Sequence, residues 1–161
     1  ALHRTPVGVS GAFTGLGAPY WDADARGIVT GITRGTKKEH FIRAALEAID
    51  YQVYDLVNAM RKDANVNIRS LNVDGGASAN NFLMQFQADM LDTPVVCTEV
   101  DDASALGAVI MNGFARGIWK SFDEVVGFRK VTQTYQPNSQ FSIRNSQLYE
   151  GWRNAVKQLI K

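Results

Sequence analysis

Two kinds of apolar pattern alternate along the chain, one helical and one extended. From Thr36 to about Lys62, apolar side chains recur at the spacing of one helix face, which predicts a long amphipathic helix packed on a core. Shorter helical patterns cover Asn80 to Leu91, residues 101–119, Phe122 to Val126 and about Phe141 to Ile160.

Four extended patterns lie between these helices and predict strands. They cover Gly27 to Ile32, Ile68 to Val73, residues 93–100 and Val131 to Tyr135. The centre of the third pattern, at Val95 to Cys97, is continuously apolar, which is typical of a strand covered on both faces. The alternation of strands and helices predicts an α/β fold.

Three local patterns give more specific expectations. Thr36 and Glu39 have the spacing of a capping box, which predicts that the first helix begins at Thr36. The third helix contains small residues, which predict that it packs tightly against a neighbour. These residues are Ala103, Ala105, Gly107 and Ala108. The glycine- and aromatic-rich segment before Asp24 predicts an extended loop. Its expected anchors are Phe13, Tyr20 and Trp21.

Composition and charge narrow the classes of partner that the sequence predicts. The chain has 161 residues, 20% of them charged, and a formal net charge of +1. Bulk charge therefore predicts binding neither to nucleic acid nor to an anionic membrane. No apolar run is long enough to span a bilayer, and no signal-peptide pattern opens the chain.

The few thiol and imidazole groups predict no metal site. Cys97 is the one cysteine, so a disulfide within the chain is impossible, which favours a reducing cytoplasm. It lies in an apolar run without a basic neighbour, and we expect a buried, inert thiol. His3 and His40 are far apart in sequence and form no ligand pattern.

The stretch "VDGGASANN", Val73 to Asn81, joins a predicted strand to a predicted helix and is the candidate site. Glycines let a bulky ligand approach the backbone, and the following helix offers unpaired N–H groups that favour phosphate. The amide of Asn80 can both donate to and accept from an adenine edge. The alternative is an ordinary connection in which Ser78 or Asn80 caps the helix. Local spacing alone leaves both interpretations open.

The segment from Gly27 to Glu47 bears on the choice between the ligand-binding and the capping interpretation. It resembles the second signature of the FGGY family of carbohydrate kinases, through strand and helix residues at the expected spacing. These residues are Gly27, Val29, Gly31, Ile32, His40, Phe41, Ala44, Ala45, Leu46 and Glu47. The resemblance implies strand–helix packing roles for them, with Glu47 as a packing carboxylate and not a catalytic one.

Longer motifs resemble the C-terminal region of the glycerol kinases in this family. They are "FTGLGAPYWDADARG", "LNVDGGASANNFLMQFQADMLDTPV", "ALGA" and "GWRNAVKQLIK", in that order. The resemblance implies that residues 1–161 are the C-terminal portion of the second, nucleotide-binding domain, with 1–12 a poorly assigned leader. The implied fold is a partial ribonuclease-H-like domain of the actin and hexokinase type, with a mixed sheet flanked by helices and its first hairpin missing.

The same resemblance implies which residues bind nucleotide. Gly76 would lie on the phosphate–ribose side of ATP and Asn80 on the adenine side, while Gly75 and Ala77 line the same turn. Asp74 is expected to stabilise the turn. No catalytic residue is expected in this chain, because the phosphate loops, the glycerol pocket, the catalytic aspartate and most of the Mg²⁺ site lie upstream in the family. Asp50, Asp63, Asp89 and Asp123 are expected to be structural.

The implied activity is transfer of the γ-phosphoryl group of ATP to a terminal hydroxyl of glycerol, in the cytoplasm. One alternative is a pentulose kinase of the same family, since the substrate pocket lies outside these residues. Another is a non-catalytic docking or assembly module. With the hairpin missing, the strand ending at Val73 would expose an unpaired edge, so we expect the isolated chain to self-associate and to bind ATP weakly or not at all.

Overall fold

A computed structural model describes residues 7–12, 14–99, 102–128 and 130–160, so Phe13 and His3 lie outside the described part. The strands are β1 (Gly8–Val9), β2 (Val29–Thr30), β3 (Leu71–Val73), β4 (Val95–Glu99) and β5 (Lys130–Tyr135). The helices are α1 (Lys38–Ala64), α2 (Asn81–Leu91), α3 (Ala103–Ala115), α4 (Asp123–Val126) and α5 (Ser142–Val156). Short 3-10 turns cover Gly76–Ala79 and Ser139–Phe141.

The described strands form two separate sheets. In the larger sheet the order is β3-β4-β5, with β3 parallel and β5 antiparallel to β4, which confirms the expected mixed sheet. Val73 is paired with Cys97, and Val95 with Tyr135. β1 and β2 form an antiparallel ribbon of their own. β3 is therefore an edge strand within the described part of the chain, as the hypothesis of a missing hairpin requires.

The strands near the N-terminal end differ from the prediction. The one predicted over Gly27 to Ile32 is reduced to Val29–Thr30, and Gly31 then turns the chain with a φ of 74°. β1 lies inside the poorly assigned leader and was not predicted, because two residues carry no measurable alternation. The strand predicted from Ile68 begins only at Leu71.

The predicted start of α1 is wrong by two residues. Thr36 does not cap the helix; its hydroxyl accepts a hydrogen bond from the Thr33 amide at 2.8 Å in the preceding turn. The helix begins at Lys38, and the His40 imidazole accepts from the Lys37 amide at 2.9 Å. An imidazole at the third helical position thus provides the acceptor expected of Glu39.

Helix α2 packs between two apolar cores. On one side an aromatic core joins it to α1 and α5, with ring centroids 5.8 Å apart for Tyr51–Phe86 and 5.6 Å for Tyr51–Trp152. On the other side Leu83 and its neighbours on α2 pack against Val95 of the sheet. Aromatic pairs of this geometry add roughly 0.5–1.5 kcal/mol each beyond their buried area. The apolar residues that predicted α2 therefore lie on two faces of the helix, one toward each core.

A carboxylate on α1 joins the N-terminal segment to the last helix. Asp55 accepts hydrogen bonds from the hydroxyl groups of Tyr20 and Tyr149, and burial together with these bonds raises the pKa of both tyrosines. Tyr20 is thus an anchor, as predicted. Trp21 is not, because its side chain is 80% exposed.

Helix α3 does not pack as its small residues predicted. Most of it is exposed, and a Cβ added to Gly107 would meet nothing within 4 Å. Its one buried residue, Gly113, lies against the Trp119 ring, where a Cβ would clash at 1.9 Å. None of the described helices is both long and apolar enough to cross a membrane.

The core also contains an unusual acidic pair on α1. Asp50 is 1% exposed, and its Oδ2 has no hydrogen-bond partner among the described residues. Glu47 is buried nearby, paired with Arg43 at 2.6 Å and accepting from the Tyr51 hydroxyl at 3.4 Å. Burial, and then the charge of Glu47, raises the pKa of Asp50 to about 8. Glu47 thus has the packing geometry expected of it, and Asp50 is a buried, neutral acid below that pH.

This pair predicts a stability that falls with rising pH. Because the pKa of Asp50 is about 8 in the folded chain, against 3.8 for an ordinary aspartate, the folded chain holds the extra proton between those values. The free energy of unfolding should fall toward pH 8 by up to about 1.4 kcal/mol per pH unit and level off above it. Asp50→Asn, which copies the neutral form, should flatten this dependence in urea titrations at pH 5, 6.5 and 8. The exposed Asp63→Asn on the same helix is the control and should leave the slope unchanged.

Candidate nucleotide site at the turn after β3

The candidate site is a compact turn between β3 and α2. Gly75 adopts φ 83° and ψ 176°, a backbone conformation open almost only to glycine. Its carbonyl then accepts from both the amide and the hydroxyl of Ser78, at 3.1 and 2.7 Å. These bonds fold Gly76 to Ala79 into a single 3-10 turn that ends at Asn80.

The two glycines of the turn have different roles. Gly75 is required by its positive φ, whereas Gly76 has no such φ, and a Cβ at either position would meet nothing within 4 Å. No described acceptor receives a hydrogen bond from the N–H groups of Gly76 or Ala77. The turn therefore presents open backbone and free donors on an exposed surface.

Asn80 has two amide atoms with different tasks. Its Oδ1 accepts from the Leu83 amide at 3.2 Å and caps α2, so the ordinary capping interpretation is correct for that atom. Its Nδ2 donates to no described residue and is free for a ligand acceptor. Asn80 is thus chiefly a donor toward any ligand, because one lone pair of Oδ1 is already used.

Residues of β4 and β5 hold the turn from behind, and no sequence pattern points to them. The Thr98 hydroxyl donates to the Val73 carbonyl at 3.4 Å, and the Cys97 Sγ donates weakly to the Ser78 carbonyl at 3.9 Å. The Tyr135 hydroxyl donates to Asn81 Oδ1 at 2.7 Å, beside Asn80. Burial raises the pKa of the Cys97 thiol, which supports the expectation of an inert, buried cysteine.

The turn-stabilising role expected of Asp74 is absent. The residue is exposed, and its carboxylate accepts no hydrogen bond from any described residue. Ser78 and Thr98 provide the stabilising bonds instead.

The other carboxylates lie away from this turn. Asp89 accepts from Gln85 and from the Asn138 amide, both at 2.8 Å, and ties α2 to the segment after β5. Across the described residues, no group of three or more His, Cys, Asp or Glu side chains could hold a metal ion. A cleft of about 480 Å³ lies between β1, α1 and α5, and none of its lining residues belongs to the turn.

Comparison with known proteins shows the family to which the chain belongs. Residues 2–116 match the C-terminal domain of the FGGY family of carbohydrate kinases. The chain is 53% identical to glycerol kinase 1 of Clostridium tetani and 50% identical to glycerol kinase of Bacillus subtilis, in each case over 91% of its length. It spans only 29% of the length of these relatives. The chain belongs to the FGGY family of carbohydrate kinases.

Solved structures confirm the fold class. Plasmodium falciparum glycerol kinase with ADP matches 98% of this chain with a TM-score of 0.80 and 29% identity. A ligand-bound xylulose kinase from Lactobacillus acidophilus matches 95% with a TM-score of 0.83 and 26% identity. The chain covers 31% of each of those proteins.

The geometry of the turn predicts opposite outcomes for alanine at its two glycines. Gly75→Ala should lower the free energy of unfolding by about 1–3 kcal/mol, because an L side chain is strained at that φ and ψ. Gly76→Ala should be neutral or stabilise by up to about 1 kcal/mol, since it only restricts the unfolded chain. Both Cβ positions are empty space, so neither result reflects a clash. Urea unfolding of the two variants measures the difference, and equal losses would contradict the assigned turn geometry.

Proposed function

We propose that this chain, as a member of the FGGY family, supplies the adenosine-side contacts of an ATP-dependent glycerol kinase. The observation that carries the proposal is the turn after β3, where open glycine backbone, free N–H groups and an unpartnered amide donor lie together. These are the groups that a nucleotide needs at a protein surface. The ADP named with the Plasmodium falciparum relative supports the same nucleotide class.

Each residue of the turn has a distinct part in this proposal. The free N–H groups of Gly76 and Ala77 lie against the phosphate–ribose side, where the absent Cβ of Gly76 lets the ligand approach. Gly75 sets the backbone direction through its positive φ. The Asn80 Nδ2 donates to a ring nitrogen of adenine, while its Oδ1 remains on the helix cap.

The reacting end of ATP needs groups that the described residues do not offer. Phosphoryl transfer requires donors and Mg²⁺ on the β- and γ-phosphates and a group that orients the attacking hydroxyl. The described residues do not fit a Mg²⁺ site, because they contain no cluster of three or more candidate ligands. In our proposal these parts come from the portion of a kinase that this chain does not span.

Glycerol is favoured over a pentulose as the acceptor. Curated glycerol kinases are 49–53% identical to this chain over at least 91% of it. The similar xylulose kinase structure shares 26% identity. The proposal includes a cytoplasmic location, where ATP is available and an unpaired cysteine stays reduced. A purely non-catalytic docking module is disfavoured, because it gives no reason for the open donors of the turn.

One experiment tests the acceptor and the nucleotide contact together, on the natural protein that carries these residues. We expect ATP-dependent phosphorylation of glycerol, and little of xylulose, in a coupled assay of ADP release. Asn80→Asp keeps the capping oxygen but replaces the Nδ2 donor with an acceptor, so KM for ATP should rise roughly 10- to 100-fold. KM for glycerol and the unfolding free energy should change little.

Asn80→Ala is the matched control for the cap. It removes both amide atoms, so it should raise KM for ATP and also cost about 1 kcal/mol of stability. Preference for xylulose would refute the choice of acceptor. An unchanged KM for ATP in Asn80→Asp would refute the nucleotide contact.

The isolated chain should be a poor nucleotide binder. The turn provides one side of a site only, and the exposed edge of β3 invites pairing between copies. Titration calorimetry with ATP and Mg²⁺ should therefore show binding no tighter than millimolar, and light scattering should show species larger than a monomer. Micromolar binding by a monodisperse monomer would contradict both expectations.

A further inference from the structure

Tyr135, the last residue of β5, connects the larger sheet to the start of α2. In the sheet it is paired with Val95, and its ring lies in the same core as Leu83. The residue is only 7% exposed, yet its hydroxyl reaches the exposed side chain of Asn81 and donates to Oδ1 at 2.7 Å. Asn81 is the first residue of α2 and follows Asn80, the cap of that helix. One hydrogen bond therefore ties the sheet to the residue beside the candidate nucleotide donor.

Residues 135–138 form a strap along one face of α2. Besides the bond from Tyr135, Gln85 Nε2 donates to the carbonyl of the second strap residue at 2.9 Å. Asp89 Oδ1 accepts from the amide of the last strap residue at 2.8 Å. The helix residues in these bonds are Asn81, Gln85 and Asp89, which are four positions apart and so lie on one face. The strap thus holds α2 at three successive turns.

The three strap bonds act on different parts of the helix. Helix ends fray because their first N–H groups have no partner within the helix. At this end the cap bond from the Leu83 amide to Asn80 Oδ1 is 3.2 Å long. The Tyr135 bond falls in the same turn, whereas Asp89 lies about 12 Å further along the helix axis. Tyr135 is therefore the strap residue whose loss would loosen the cap.

We propose that Tyr135 is a positioning residue of the nucleotide site. Its bond to Asn81 fixes the first turn of α2, and with it the direction in which Asn80 presents its free Nδ2. Tyr135 acts through the helix backbone and does not touch the nucleotide. A donor that is already fixed loses little freedom on binding, so it binds more tightly than a mobile one. The inference rests on the proposed nucleotide contact of Asn80 and extends it to a residue of β5.

The alternative is that the bond serves only the fold. A buried tyrosine hydroxyl needs a hydrogen-bond partner, and Asn81 would satisfy that need without any role in binding. Stability alone does not separate the two roles, because both predict a less stable protein without the hydroxyl. The affinity for ATP does separate them, since only a positioning role links the hydroxyl to Asn80 Nδ2.

The test uses the natural protein that carries these residues, assayed with ATP and glycerol. Tyr135→Phe removes only the hydroxyl and keeps the ring in the core. KM for ATP should rise roughly 3- to 10-fold, while kcat and KM for glycerol change by less than about twofold. Asp89→Ala is the matched control, because it breaks the far end of the strap; it should also lower Tm but leave KM for ATP unchanged. An unchanged KM for ATP in Tyr135→Phe, or an equal rise in Asp89→Ala, would overturn the proposal.

A double-mutant cycle tests whether the effect passes through Asn81. Asn81→Ala removes the acceptor of the same bond, so it should raise KM for ATP as much as Tyr135→Phe does. The double variant should then be no worse than either single variant, because the bond can be lost only once. Additive losses would identify Asn81 as a direct contact of its own and would overturn the proposed path.

Hydrogen exchange gives a readout that needs no nucleotide. The Leu83 amide, which donates to the cap, should exchange faster in Tyr135→Phe and at the original rate in Asp89→Ala. Two results distinguish the positioning role from the nucleotide contact. If Asn80→Asp raises KM for ATP and Tyr135→Phe does not, only the positioning role is rejected. If neither variant raises it, the nucleotide contact is rejected and the positioning role with it.

Discussion

The packing of α2 between two cores is the constraint on which the candidate site depends. Phe86 faces the aromatic core of α1 and α5, and Leu83 faces the sheet around Val95. A helix held on both faces cannot shift without opening one of them, because protein interiors are close-packed. The start of α2 is therefore fixed in space, and with it the Asn80 amide and the turn that leads into the helix.

The capping and binding interpretations of the turn are not exclusive. The cap uses Asn80 Oδ1 and leaves Nδ2 free, so one side chain supports the helix and presents a donor at once. The backbone divides in the same way: Gly75 satisfies the geometry of the turn, while Gly76 leaves space that no internal contact explains. The positive φ of Gly75 is explained by the turn itself and is no evidence for a ligand. The open space at Gly76 has no such explanation within the described residues, and it therefore favours the binding interpretation.

The pattern of residues along the chain was sufficient for the elements whose apolar side chains form the two described cores. It predicted α1, α2 and β4, and the resemblance of the motifs led to the correct family. It failed where competing local groups decide the outcome, as with His40 in place of Glu39 at the start of α1. For α3, small residues correctly indicate close packing in general, but no described element provides the partner. Bonds such as Thr98 to Val73 join distant positions and leave no local pattern.

Strand β4 links the two surfaces that this structure leaves open. Thr98 and Cys97 of this strand support the turn after β3 through their hydrogen bonds. The next helix in the chain is α3, with Asp102 as its N-cap. Because β4 is paired on one side with β3 and on the other with β5, the sheet fixes the support of the turn, just as the two cores fix the start of α2.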